Sequence, residues 1–151
     1  MKKSIYISLI VLFSVCIACL RFEKRVDEKE ARRQFANDQL ALNCIAHFMI
    51  AQDEEALCYD LLTSEEKLIV SDDSARESLE QLKENGYKII TKEDGMINFL
   101  IWSNKDMGIG IVYSEFGTEP KLQFQTYCSL LEEKWYYYEE DYNQWRLHNV
   151  K

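Results

Sequence analysis

The sequence predicts an α+β fold: an N-terminal membrane segment, then two to three helices packed on one face of a four- to five-stranded antiparallel meander. Three observations predict it. Ser4 to Leu20 is an unbroken run of 17 uncharged residues. Apolar residues then recur at three- and four-residue spacing as far as Gly86. Beyond Gly86 they alternate, and short turn-forming stretches interrupt them. A length of 151 residues leaves room for one domain.

The opening segment goes to a membrane. Lys2 and Lys3 give it a basic start, and as a helix the run would reach about 26 Å. That is long for a secretory signal core and slightly short for a hydrocarbon layer of about 30 Å. Val15-Cys16-Ile17-Ala18-Cys19 resembles a bacterial lipobox, with Cys16 where leucine is usual. The resemblance implies cleavage after Ala18 and lipidation of Cys19. Against cleavage stand Arg21, Lys24 and Arg25 directly after the run, and the positive-inside rule applied to them favours a cytoplasmic domain. A lipidated anchor and an uncleaved helix therefore stand side by side, with plain secretion third. The expected organisation is a membrane segment over 1–20, a charged juxtamembrane stalk over 21–34 and a single α+β domain over 35–151. The expected location is the cell envelope, facing outside the cytoplasm.

The elements follow in order. Phe35, Leu42, Ile45 and Met49 fall on one helical stripe, and Leu40, Cys44, Phe48 and Ala51 widen it into a buried face. Gln52 to Leu62, with Ala56, Leu57, Leu61 and Leu62, reads as a short second helix. Thr63-Ser64-Glu65-Glu66 fits a capping box, as does Ser74-Ala75-Arg76-Glu77. Behind the latter, Ala75, Leu79 and Leu82 share a face and Asn85-Gly86 ends the helix. Strands are expected at Tyr87–Thr91, at Ile97–Trp102 (buried on both faces), around Ile109–Tyr113, from Leu122 to Cys128, and at Trp135–Glu139. The loops between them are short, which makes consecutive strands antiparallel neighbours.

Charge and motifs exclude more than they assign. A net charge of −8 leaves little to hold phosphate backbones, so no nucleic-acid partner is expected. Of the five cysteines, Cys44, Cys58 and Cys128 lie beyond the membrane segment, so one disulfide is the most they could form. No cofactor or metal is expected, because no spacing for one occurs. Asp106-Met107-Gly108-Ile109-Gly110 lacks the helix a phosphate loop needs. His47, beside the helical stripe, fits a structural role better than a catalytic one, and His148 lies near the end of the chain. The acidic clusters Asp53-Glu54-Glu55, Asp72-Asp73 and Glu139-Glu140-Asp141 could supply a hydrolase with two carboxylates or Ca²⁺ with oxygen ligands, but neither spacing is specific and adjacent acids on turns are usually solvated.

Folding alone least explains Trp135 to Trp145. In a strand, Trp135 and Tyr137 face one way and Tyr136 and Tyr138 the other. With the first pair in the core, Tyr136, Tyr138, Tyr142 and Trp145 form the candidate binding face. The expected function is a membrane-tethered, non-catalytic binding module of the bacterial envelope, held by residues 4–20 and meeting a basic protein partner. An immunity-type protein that neutralises a toxin is one version. A small carboxylate-based hydrolase and a structural subunit of a membrane complex are the alternatives.

Overall fold

The computed structural model describes residues 25–62 and 72–143. They form one six-stranded antiparallel sheet and two helices: α1 (Glu28–Ile50), β1 (Leu57–Asp60), α2 (Asp73–Glu84), β2 (Ile89–Glu93), β3 (Met96–Ser103), β4 (Met107–Ser114), β5 (Gln125–Glu132) and β6 (Trp135–Asp141).

Each helix starts on an aspartate whose carboxylate accepts a backbone N–H, Asp27 from Glu30 and Asp72 from Ala75. Asp72, not Ser74, is thus the cap of α2. Ala75, Leu79 and Leu82 are buried as the pattern requires. The α1 stripe of Phe35, Leu42, Ile45 and Met49 is also buried, but Leu40 is 88% exposed. Ala41 and Asp38 flank the true contact face instead, because α1 is held between α2 and the sheet. Asp38 takes a hydrogen bond of 2.6 Å from Asn85 Nδ2, which ties the end of α2 to the middle of α1. Ala31 is also fully buried, so this helix is already packed within 21–34.

The main core lies between the helices and one sheet face. Ile90, Ile97, Phe99, Ile109, Ile111, Trp135 and Tyr137 contribute from the strands. Trp135 sits at its centre, with ring centroids 5.0 Å from Tyr113, 5.4 Å from Phe35 and 5.7 Å from Phe99. Its indole N–H donates to Asn43 Oδ1 on α1. At the N-terminal end of α1, Glu28 accepts from Ser129 Oγ, Arg32 and Tyr127 OH. These donors, Ser129 first, hold its carboxyl below the ordinary value.

The expected meander of four to five strands is overturned. The sheet has six strands in the order β1-β2-β3-β4-β6-β5. The expected helix over 52–62 is replaced by β1, an edge strand paired with β2 through Cys58↔Thr91 and Tyr59↔Ile90. The other departure is the connection from β4 to β5. It carries the chain past β6, which pairs with both β4 and β5. The sequence rule that short loops join neighbours covers β2–β3, β3–β4 and β5–β6 and fails at this longer passage. β5 itself begins at Gln125, so Leu122 and Phe124 belong to the connection. β3 is buried mainly on the helix side, and a bulge after Leu100 turns Trp102 back to that side.

The expected membrane segment, with Cys19, lies outside the described residues, as do the capping box at Thr63 and residue Trp145. Among the described residues no helix is long and apolar enough to cross a membrane. Cys44, Cys58 and Cys128 are free thiols.

Candidate functional site

The sheet face turned away from the helices carries the site. Residues 115–124 pass over this face on their way from β4 to β5. The passage is fixed at both ends: the Glu115 N–H donates to Gly95 O, and the Asp141 N–H to Phe124 O. The Asp94-Gly95 turn beneath the first end has positive φ at both residues (49° and 72°), the twist a two-residue hairpin needs. A Cβ at Gly95 would lie 2.6 Å from the Phe116 ring, so the turn lets the passage settle close to the sheet.

Strand alternation distributes the aromatic cluster as the sequence predicts: Trp135 and Tyr137 enter the helix-side core, Tyr136 and Tyr138 point the other way. Their environment differs from the open surface expected. Tyr136 and Tyr138 are buried with Val112 in a second, smaller core, packed against Met96, Leu122 and Cys128. The Tyr136 hydroxyl donates to Gly117 O in the passage. Burial pushes the Tyr138 phenol well above its ordinary range and the Cys128 thiol up to about 11, Glu119 adding to the latter.

Two glycines of β4 make this packing possible. Gly110 lies under Tyr138, where an added Cβ would be 2.4 Å from Phe99 O and 2.7 Å from the Tyr138 hydroxyl. Gly108 lies under Tyr142, whose hydroxyl would be 2.2 Å from such a Cβ. The glycines that looked like an incomplete phosphate loop are thus the floor over which two tyrosines lean.

Beside these rings is a cavity of about 460 Å³, within the range that holds a small organic ligand. Ile89, Thr91, Asn98 and Leu100 of β2 and β3 form its floor. Lys121, Leu122 and Phe124 of the passage form one wall, and Tyr138, Glu140 and Tyr142 another. Glu93 and Asp94 lie at the end near the hairpin turn. The Phe124 and Tyr142 rings meet edge to face at 5.8 Å. The Tyr142 hydroxyl donates to Glu140 Oε2 at 3.1 Å. Asn98 Oδ1 is buried with no hydrogen-bond partner.

Glu140 is the residue sequence reasoning missed. In the sequence it reads as one of a run of solvated acids with Glu139 and Asp141, but the passage covers it. Burial raises its carboxyl above the ordinary value, and the bond from Tyr142 offsets only part of this. A carboxyl raised in the fold contributes stability when protonated, below the unfolded value near 4.5, and loses it as pH rises through the folded value. Glu140→Gln is therefore expected to melt above the parent chain at neutral pH, with the gap closing in acid. Thermal melts across that range check it; a variant less stable at neutral pH would contradict the burial argument.

Of the candidate binding residues, Tyr138 and Tyr142 line the cavity, Tyr136 packs in the adjoining core and Trp145 lies outside the described residues. His47 is elsewhere: exposed on α1, edge-on to Tyr113 at 6.4 Å. No group of three potential metal-ligating side chains converges among the described residues. Comparison with protein-family models, with curated proteins and with solved structures finds no match for this chain.

Proposed function

We propose that this chain is a membrane-tethered binding protein of the cell envelope whose working part is the covered-face cavity. The cavity carries the proposal. It is roomy, walled by aromatic rings and furnished with a small number of polar groups, the usual makeup of a ligand site. Binding is favoured over hydrolysis because His47 is on α1, across the sheet from the carboxylates that line the cavity. The tether rests on the apolar run at 4–20 and on Cys19.

Methyl NMR of the full chain in detergent tests the binding half against a fragment library of amines, sugars and carboxylates. Ile89 and Met96 report on the cavity, while Ile45 reports on the helix-side core. A fragment that shifts the first two, spares Ile45 and is recovered unchanged is the expected result. No shift with any fragment would overturn the reading, and consumption of a fragment would make the protein an enzyme. The intact mass of membrane-extracted protein, with and without Cys19→Ser, tests the tether. A soluble, cleaved, unmodified product would sink it.

A further inference from the structure

We propose that the cavity takes an organic cation, an ammonium or guanidinium group seated on Glu140 beside the Phe124 and Tyr142 rings, with its aliphatic stem along Leu100 and Ile89. This rests on the reading of the cavity as a binding site and names its ligand class.

Two neighbouring residues on β6 make the case. Glu139 faces the helix side and is matched there: Arg25 Nη2 donates to it at 2.7 Å and the Tyr137 hydroxyl at 2.6 Å. Glu140 faces the cavity, largely covered, and its hydrogen bond comes from the neutral Tyr142 hydroxyl. Among the described residues no lysine or arginine pairs with Glu140. A carboxylate withdrawn from water favours a cation beside it, because the pair recovers part of the lost hydration. Among the described lining residues Lys121 is outnumbered by Glu93, Asp94 and Glu140, so that part of the lining is negative. Aromatic faces add an electrostatic attraction for a cation that a neutral polyol does not receive. The apolar floor beyond Glu140, from Leu100 to Ile89 and Met96, suits methylene groups rather than hydroxyls. A divalent metal is a poorer fit, since it would require several converging oxygen ligands.

An alkyl cation can arrive as a free amine or as the lysine or arginine side chain of a partner protein. Isothermal titration calorimetry on the full chain in detergent, at physiological salt to suppress diffuse attraction, separates these. The probes are hexylamine, spermidine, Nα-acetyl-lysine amide and, as the neutral control, hexanol. At least one amine is expected to bind while hexanol does not. Glu140→Gln is expected to weaken that amine roughly ten- to a hundred-fold. Glu80→Gln, the same charge change on the exposed side of α2, is expected to leave it unchanged. Preference for hexylamine or spermidine supports a free amine; preference for the lysine amide supports a partner side chain. The proposal is overturned if no amine binds, if hexanol binds as well as hexylamine, or if both variants lose affinity equally. Neutral fragments that shift Ile89 and Met96 while every amine fails would remove the cation and leave the binding site. Failure of both would remove the site itself.

Discussion

Trp135→Ala is expected to lower stability by about 3–5 kcal/mol, the range for deleting a large buried aromatic side chain. The ring is 3% exposed and touches Phe35, Phe99 and Tyr113, so it joins α1 to β3 and β4 through one residue of β6. Its loss leaves a hole bounded by three other rings that stand on separate elements and cannot all move inward. It also strips Asn43 Oδ1 of its indole donor. For a domain of this size the melting temperature falls by roughly 10–20 °C. Trp135→Phe keeps most of the volume and is expected to recover more than half of that loss. Circular dichroism melts of both variants check the ordering. Equal melting of Trp135→Ala and the parent chain would mean that the core is centred elsewhere.

Gly110→Ala is expected to cost about 3 kcal/mol, at the upper end for overpacking a close-packed site. The deciding contact is with Phe99 O, because it is backbone in a paired strand and has no rotamer to change. Tyr138→Phe removes the hydroxyl contact but leaves both Phe99 O and the ring carbon Cε1, 2.8 Å from the added Cβ, and is therefore expected to recover little of the loss. Gly108→Ala is the contrasting case. Its clash is with the tip of Tyr142, which can swing away, so the expected stability loss is small. The swing would pull the hydroxyl from Glu140 and reshape the cavity. The pair of variants thus separates a glycine needed by the fold from one needed by the site. Full rescue of Gly110→Ala by Tyr138→Phe would refute the argument from backbone contact.

The sequence shows one layer of this structure well. The stripe through Phe35, Leu42, Ile45 and Met49, the face of α2, and the inward turn of Trp135 and Tyr137 all follow from periodicity, because burial on one face leaves a repeating pattern. Leu40 was misplaced for a related reason. Apolar character states what a residue tolerates, while the width of a buried stripe depends on what packs beside it. β1 escaped notice because four residues on a sheet edge leave no repeat, and Leu57 and Leu61 happen to fall at helical spacing. The strand order was hidden because a strand's own pattern does not name its partners. The covered state of Tyr136, Tyr138 and Glu140 depends on the path of residues 115–124, which no local pattern records. Gly108 and Gly110 were the available clue: two glycines on one face of a strand signal that something lies close against it.

The placement of β6 between β4 and β5 also bears on how the chain is made. During synthesis β4 emerges about twenty residues ahead of the strand that will cover its free side, a delay of roughly one to four seconds at ordinary elongation rates. For that interval the apolar row of Ile109, Ile111 and Tyr113 ends in an unpaired edge, open to any other extended strand nearby. The β5–β6 hairpin closes locally in microseconds once it is available, and so arrives as a ready-made cover. Crowding of ribosomes on one message would bring such edges together and raise the yield of misassembled chains.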